Sequence, residues 1–351
     1  MRVAIEAASL GLSSGGLARY TAELSLALAR CFPDDQFFLL SDQPFRMSPG
    51  SPSNLQRGGG PRNSMERRWW LWGMAREMGR LGVDLVHGPD FAVPYIPSRP
   101  SVLTLHDLSP WMWRRAAKRV RRRTPVLLEL GIATMIVTPG EAVRKQAIER
   151  FRLRPERVVA VPEAAAAWFR PVAAGCPLGP ATPYFLFVGT LEPRKNLPAL
   201  VEAWREVRRH HPVELVLAGR RRADFSALAE EPGLRIVGEV ADEALPPLYS
   251  GALAFVYPSL YEGFGLPVLE AMQCGACVIA SRAVAEAAGD AAVYADTPQE
   301  LARAMREAVE RPEWRAEFGA RSLLRAREFS WERTARMTYE VYEEARRRFG
   351  D

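Results

Sequence analysis

Short apolar runs that alternate with longer amphipathic segments are the feature of this 351-residue chain that most restricts its fold. A continuous apolar run bounded by turn residues is typical of a strand that is buried on both faces. Strands that alternate with helices predict βαβ units and a mostly parallel sheet, so we expect an α/β fold. The predicted strands are VAIEA, FFLLS, DLVHG, SVLTLHD, MIVTP and VVAVP in the first half, and YFLFVGT, ELVLAG, LRIVGEV, ALAFVYP, CVIAS and AAVYA in the second.

One interruption divides this pattern into two domains, which a chain of this length can accommodate. Residues 164–183 are rich in Ala, Pro and Gly, and we predict that they link a domain over 1–163 to a domain over 184–330. The segment 47–64 is rich in Gly, Pro and Ser. It is predicted to be a mobile loop, because its composition cannot bury a core.

The turn EGFGLPVLE, residues 262–270, carries the strongest functional signal. Proline favours the first helical position, so a helix is predicted to start near Pro267 and to offer free backbone N–H groups to an anion. The glycines allow close approach of a ligand, and a carboxylate on each side can accept hydrogen bonds from hydroxyls. A phosphate between two hydroxyl-rich groups describes a nucleotide-sugar, whereas the alternative is a plain Gly-Pro turn with two exposed glutamates. The predicted donor contacts here are Glu262, Gly263, Phe264, Gly265, Leu266 and Glu270.

A pair of cations follows the strand YFLFV. Gly189, which is a predicted donor contact, ends that strand, and Arg194 and Lys195 then precede a helix that is predicted to start near Asn196. A guanidinium that forks onto oxygens beside an ammonium suits a diphosphate. The alternative, a solvated Arg-Lys pair, is the usual arrangement of such residues.

Three features of the first half are candidate contacts to a donor or an acceptor. Gly15 and Gly16 follow the first strand and open a helix, where a loop can approach a ligand, although the spacing for dinucleotide binding is incomplete. Arg19 lies in the first turn of that helix. His106 ends the strand SVLTL and is placed to contact a sugar hydroxyl or an acceptor; the alternative is a structural histidine bonded to backbone.

Two basic and aromatic clusters suggest an acceptor side that meets a membrane. One is RRWWLW, residues 67–72, and the other continues from residue 111 to residue 123. Tryptophan beside arginine is typical of a membrane interface, but tryptophans in the core with solvated arginines would give the same pattern. The residues singled out in the second cluster are Trp111, Trp113, Arg114 and Arg115.

Composition limits the other classes. A net charge of +6 favours anionic partners, yet no nucleic-acid-binding motif accompanies the charge. No apolar run reaches the ~18 residues of a membrane span, so we expect a cytoplasmic protein that could lie peripherally at the inner face of the membrane. The four cysteines are scattered and form no complete zinc site. No Asp-x-Asp is present, so we expect neither a metal nor another cofactor.

The ordered set of motifs resembles the retaining glycosyltransferases of family 4, which have the GT-B architecture of two facing Rossmann-like domains with a cleft between them. The motifs extend over nearly the whole chain: GGLARY (15–20), TLHDL (104–108), ERVVAVPEA (156–164), GTLEPRKNL (189–197), LVLAG (215–219), YPSLYEGFGLPVLEAMQCGACVIAS (257–281) and AGDAA (288–292). One departure is the shortened segment after Ser281, which lacks the usual proline.

This resemblance implies transfer of a sugar from a nucleotide-sugar to a glycan or lipid-linked acceptor, by same-face attack and without a metal. It implies that the last helix, about 331–351, crosses back to the first domain. It also implies nucleoside contacts near Gly219, Val237 and Gly238, and a catalytic set of His106, Glu262, Arg194 and Lys195. The HDL and VPEA motifs favour mannose from GDP-mannose. The alternatives are a nucleotide-sugar 2-epimerase of the same architecture and a non-catalytic nucleotide-sugar-binding or scaffold protein.

Overall fold

The computed structural model describes residues 1–349 apart from 13–14, 49, 114–116, 173–178, 226–227 and 229–230. The chain divides into two compact units. Unit 1 contains Met1–Glu163 and Ser330–Asp351, and unit 2 contains Ala164–Phe329.

Unit 1 is built on a seven-stranded parallel sheet with the order β3-β2-β1-β4-β5-β6-β7. Its strands are β1 (Arg2–Glu6), β2 (Gln36–Leu40), β3 (Leu55–Arg57), β4 (Leu85–Gly88), β5 (Ser101–Thr104), β6 (Met135–Thr138) and β7 (Val158–Ala160). The helices that follow them are α1 (Gly16–Cys31), α2 (Met74–Leu81), α3 (Ser109–Met112), α4 (Lys118–Glu129) and α5 (Glu141–Phe151). Val3 of β1 pairs with Phe37 on one side and Leu85 on the other, so the strand order reverses between β1 and β4. Such a reversal leaves a crevice at the carboxyl ends of the strands.

The segment 47–64 contributes the edge strand β3, and the predicted mobile loop is therefore wrong for this part of it. Leu55 is buried and pairs with Phe37 of β2. The side-chain amide of Asn54 donates to the carbonyl oxygens of Ala29, Phe32 and Asp35 at 3.0–3.1 Å. One amide and one apolar side chain thus anchor a stretch whose average composition is typical of a loop.

Unit 2 repeats the same plan in a six-stranded parallel sheet with the order β10-β9-β8-β11-β12-β13. Its strands are β8 (Tyr184–Val188), β9 (Glu214–Ala218), β10 (Leu234–Gly238), β11 (Ala254–Tyr257), β12 (Val278–Ala280) and β13 (Ala292–Tyr294). Its helices are α6 (Leu197–Arg208), α7 (Leu245–Gly251), α8 (Leu266–Gln273), α9 (Ala285–Ala288), α10 (Pro298–Glu310) and α11 (Pro312–Ala326). The order reverses between β8 and β11, so the second crevice lies where these two strands end.

Part of the segment predicted as a linker packs inside unit 2. Ala165, Ala166 and Phe169 belong to its hydrophobic core. The amide of Gln273, at the end of α8, donates to the carbonyl oxygens of Ala166 at 2.9 Å and Phe169 at 2.8 Å. Apolar side chains every few residues hold this alanine-rich stretch against the unit.

Cys274 and Cys277 also lie in the core of unit 2, where α8 gives way to β12. Both thiols are free, and burial raises the pKa of each to about 12. Thiols with such pKa values stay protonated near neutral pH and are unreactive, so these cysteines act as small packing residues.

The last helix, α12 (Trp331–Arg348), belongs to unit 1 and packs on α1, β5 and β6. The Tyr342 hydroxyl bonds to Nδ1 of the buried His87 at 2.7 Å. The ring of Tyr339 stacks on Phe32, with centroids 3.7 Å apart. Among the helices of the described residues, none is long and apolar enough to cross a membrane.

Candidate active site

The carboxyl ends of β8 and β11 bring together the two motifs that the sequence singled out in unit 2. Arg194 and Lys195 form a short 3-10 turn between β8 and α6. Glu262 lies between β11 and α8, and the N–H of Leu260 in that loop donates to the carbonyl of Arg194 at 2.8 Å. Since β8 and β11 are hydrogen-bonded neighbours, both loops emerge at the reversal of strand order.

Glu262 lies between the two cations and contacts both. Its Oε1 is 2.5 Å from Nζ of Lys195, and its Oε2 accepts from Nη1 of Arg194 at 2.8 Å. Nζ of Lys195 also donates to the hydroxyl of Tyr257, the last residue of β11. The Lys195 and Glu262 side chains are only 5% and 7% exposed, so these contacts are shielded from solvent.

Burial and charge act in opposite directions on this cluster. Burial would raise the pKa of Glu262, but the charges of Lys195 and Arg194 lower it to about 2. Burial lowers the pKa of Lys195, and Glu262 opposes that shift. At neutral pH a carboxylate therefore partly neutralises two cations, and a ligand with more negative charge could replace it. The sequence places Glu262 and the two cations in different motifs, and the structure brings Glu262 into contact with both cations.

The turn after Glu262 presents backbone N–H groups. Gly265 caps α8 with φ +111°, and a Cβ there would lie 2.9 Å from the Val284 side chain. Among the described residues, no oxygen accepts the N–H of Gly265 or Leu266. Gly263 is half-buried in this turn and Phe264 is buried beneath it. These donors at a helix N-terminus form an anion-binding geometry within the same loop as Glu262.

Glu270 lies one turn into α8 and is only 1% exposed. Its Oε2 accepts a hydrogen bond from the Tyr249 hydroxyl at 3.0 Å. The predicted donor contact of Glu270 would therefore need this carboxylate to become accessible, which its burial restricts.

Three glycine turns lie side by side at the ends of neighbouring strands. The N–H of Gly189 donates to Ala218, and the N–H of Gly219 donates to Gly238 at 2.6 Å. A Cβ on Gly219 would lie 2.0 Å from the carbonyl oxygen of Gly189, so only glycine fits there. Val237, the remaining predicted nucleoside contact, is half-buried in β10. The predicted donor residues of β8, β9 and β10 thus share one edge of the sheet.

In unit 1, Gly15 and Gly16 lie where α1 begins, after β1. Gly15 has φ +122°, and a Cβ there would meet nothing within 4 Å, so the turn faces open space. Arg19 follows in the first turn of α1 and is half-buried.

His106 follows β5 and uses both ring nitrogens within unit 1. Nε2 lies 2.7 Å from the carbonyl oxygen of Pro89, and Nδ1 lies 3.1 Å from Oε1 of Glu163. Burial would lower the pKa of His106, but the hydrogen bond and charge of Glu163, with the charge of Asp90, raise it above 6.5. The ring packs edge-on against Tyr20 at 4.7 Å. A sugar or acceptor contact would require one of these hydrogen bonds to be exchanged.

The aromatic members of the two basic clusters are distributed between core and surface. Trp69 is buried, whereas Trp72 is 48% exposed. Trp111 is half-buried and packs edge-on against Phe91 and Phe151, with ring centroids 6.2 and 5.1 Å away. Trp113 is half-buried, and Arg114 and Arg115 lie outside the described residues.

Several participants were not singled out from the sequence. Tyr257 contacts Lys195, and Glu192 accepts from Arg194 at 2.6 Å. Glu163 lies within hydrogen-bonding distance of the His106 ring. Each lies within a few residues of a strand end at the relevant edge, which is the signal that could have indicated them. Among the described residues, no group of three or more His, Cys, Asp or Glu side chains is placed to hold a metal ion.

Comparison with known proteins places both units in families of sugar-transferring enzymes. A family model described as Glycosyltransferase Family 4 matches residues 14–167, and one described as Glycosyl transferases group 1 matches residues 182–311. The O-antigen chain mannosyltransferase B of Escherichia coli is 34% identical over 290 residues, which cover 74% of each chain.

Solved structures agree on the fold. Sucrose-phosphate synthase from Thermosynechococcus elongatus superposes with a TM-score of 0.74 at 19% identity, covering 98% of both chains. Anabaena HepE in complex with UDP and glucose has a TM-score of 0.71 at 17% identity, covering 97% of this chain and 99% of that one. This likeness, with the two parallel sheets, confirms the predicted GT-B α/β fold.

Proposed function

Since the chain belongs to glycosyltransferase family 4, we propose that it transfers mannose from GDP-mannose, with retention, to a glycan or lipid-linked acceptor. The chain is a glycosyltransferase of the hexosyltransferase class, EC 2.4. Mannose is supported by the name of the Escherichia coli relative and by the HDL and VPEA motifs. The same name supports a role in polysaccharide synthesis.

The observation that carries the proposal is the contact of Glu262 with Arg194 and Lys195 beside the N-terminus of α8. The donor diphosphate would take the place of the carboxylate against both cations and accept from the N–H groups of Gly265 and Leu266. As the bond from the sugar C1 to the phosphate oxygen breaks, these groups would stabilise the charge on the leaving nucleoside diphosphate. Glu262, released from the cations, would orient hydroxyls of the transferred sugar.

The new bond would form on the same face of the sugar ring from which the leaving group departs. The acceptor oxygen would attack C1, and its proton would pass to an oxygen of the departing diphosphate, so atoms and charge balance without a further reagent. We propose His106 as a contact to the sugar or acceptor, and Gly189, Gly219, Val237, Gly238 and Glu270 as the nucleoside side of the donor site. The missing Asp-x-Asp supports transfer without a metal.

A thermal-shift panel with GDP, UDP and ADP, followed by a transfer assay with the matching sugar nucleotides, tests the proposal. If GDP stabilises the protein no more than UDP or ADP, the mannose proposal is withdrawn. Conversion of the sugar without acceptor would instead indicate the epimerase, and binding without turnover would indicate the scaffold. The Escherichia coli relative is named as a transferase and the Thermosynechococcus elongatus protein as a synthase, which favours transfer.

A peripheral position at an anionic membrane is a separate part of the proposal. Its support is the exposed charge of Lys118, Arg119 and Arg122, because each cation near such a surface contributes about 1 kcal/mol. Trp111 is half-buried against Phe151, so its ring is only partly exposed to serve as an aromatic anchor. Co-sedimentation with anionic vesicles that falls as salt rises is the expected result.

A further inference from the structure

An open pocket on α4 gathers four cations in unit 1. It has a volume of about 490 Å³. We call it the α4 pocket, and its lining residues are Tyr95, Lys118, Arg119, Arg122 and Arg123. The four cationic residues are spaced so that they share one side of the helix. The pocket is thus a feature of a single helix face and one adjacent loop.

Within the part of the chain that the structure describes, three of the four cations on this face have no neighbouring carboxylate as a partner, whereas Arg123 interacts with the charge of Asp90 and with the side chain of Tyr95. Among the described residues, none forms an ion pair with Lys118, Arg119 or Arg122. Exposed arginines elsewhere do find partners: Arg321 contacts Glu317 at 2.6 Å, and Arg205 contacts Glu231 at 2.7 Å. Like charges four residues apart on a helix destabilise it, and α4 carries two such pairs.

The position of the cations on α4 adds to this imbalance. Lys118 and Arg119 are its first two residues, and its first turn contains no acidic residue. A helix N-terminus bears partial positive charge and leaves its first N–H groups without intrahelical partners. Cationic side chains at a helix N-terminus are repelled by its partial positive charge. An anion bound at the start of α4 would offset that repulsion and accept hydrogen bonds from the free N–H groups.

Arg123 is the half-buried cation that lines the pocket. Its guanidinium lies over the ring of Trp70, 5.1 Å from the centroid, and this contact fixes its plane. Its Nε is buried and has no hydrogen-bond partner among the described residues. Burial also lowers the pKa of Arg123. A desolvated guanidinium held in one orientation is suited to bidentate contacts with phosphate oxygens.

We propose that the α4 pocket is a binding site for a diphosphate group, distinct from the donor site of unit 2. Four cations and a helix N-terminus match the charge of a diphosphate better than that of a single carboxylate. The two phosphates could arrive joined in a soluble diphosphate ester, or as the single phosphates of two neighbouring head groups of an anionic lipid. The inference does not depend on sugar transfer.

Hydrogen–deuterium exchange with inorganic pyrophosphate tests the site in the intact protein. Binding should slow exchange over Lys118–Glu129, because it removes the repulsion that destabilises the start of α4. In the double variant Arg119→Gln/Arg122→Gln, the dissociation constant at α4 should rise at least about tenfold, the loss typical of charge-assisted hydrogen bonds. The double variant Arg311→Gln/Arg321→Gln removes the same charge at the residue before α11 and at one within it, and it should behave as the wild type does. Slower hydrogen exchange over residues 263–270 would report pyrophosphate bound at the donor site of unit 2, separately and in the same experiment.

The vesicle arms distinguish the source of the phosphate. Protection of α4 by both pyrophosphate and phosphatidylglycerol vesicles supports the site with lipid as one source, and protection by pyrophosphate alone supports a soluble ester. Three results would overturn the proposal: no protection of α4, equal affinity in the wild type and Arg119→Gln/Arg122→Gln, or protection by phosphatidylglycerol vesicles alone. The last would mean that α4 is a charged surface without a discrete pocket site.

Discussion

Glu262→Gln removes one charge from the donor cluster while keeping its shape, so its effect on stability can be worked out from the structure. Burial alone would raise the pKa of Glu262, yet Lys195 and Arg194 lower it from 4.5 to about 2. A carboxyl with that lowered pKa contributes about 3 kcal/mol to stability above pH 4.5, and the contribution is lost as pH falls toward 2. Removing one partner of a buried ion pair typically lowers the free energy of unfolding by a similar amount, about 3–5 kcal/mol. Because Arg194 keeps its contact with Glu192, we expect a loss of about 3 kcal/mol.

Donor binding should respond in the opposite sense from stability. A neutral glutamine no longer competes with the diphosphate for Arg194 and Lys195, so the affinity for a nucleoside diphosphate should be unchanged or higher. Turnover should fall, because the contact of Glu262 with the sugar matters most in the charge-developing state. Urea unfolding, calorimetry of nucleoside diphosphate binding and steady-state kinetics measure the three quantities.

A matched control removes a glutamate from an exposed pair. Glu317 contacts Arg321 on α11 with both side chains about half exposed, so Glu317→Gln should change stability by no more than about 0.5 kcal/mol. If Glu262→Gln lowers the free energy of unfolding no more than this control does, the buried-pair reasoning is refuted. If its affinity and turnover fall by the same factor, Glu262 has no role specific to the transition state.

Three further outcomes are expected. Lys195→Ala and Arg194→Ala should each weaken nucleoside diphosphate binding by about 2–3 kcal/mol, and unchanged calorimetric affinity in both would contradict the diphosphate contact. Transfer should persist in excess chelator; activity that disappears with EDTA and returns with Mg²⁺ or Mn²⁺ would show a metal requirement. The pKa of His106, followed by NMR, should lie above 6.5 in the wild type and should be lower in Glu163→Gln, because the hydrogen bond and charge that oppose burial are removed. The imidazolium therefore contributes stability that is present below pH 6.5 and lost as pH rises through the folded pKa, and an unchanged pH dependence in the variant would count against this account.

The sequence was most informative where a strand ends in glycine. Buried apolar runs predict strands whatever surrounds them, and Gly189, Gly219 and Gly265 mark turns that other residues would strain. The parallel α/β class and the GT-B fold followed from these runs and their motifs. The strand β3 did not, because Leu55 and Asn54 act through contacts with distant chain segments that composition does not record.

The pairing of side chains that are far apart in the chain could not be predicted from the sequence. Glu262 and Lys195 are 67 positions apart, and only the pairing of β8 with β11 brings them into contact. A charge pattern likewise does not tell whether a tryptophan beside arginines faces solvent or the core. Trp111 is held by Phe151, 40 residues further along, whereas Arg321 and its partner could be read from their spacing on one helix.

The return of α12 to unit 1 has a consequence for the order in which the chain can fold during synthesis. Unit 2 is one continuous stretch, whereas unit 1 lacks the partner of α1 and the Tyr342 bond to His87 until residues 330–349 leave the ribosome. Domains generally fold as units once their residues are available, with the N-terminal domain first. Here the order is reversed: unit 2 can complete its core before unit 1 does, and α1 and His87 stay uncovered until α12 has been translated.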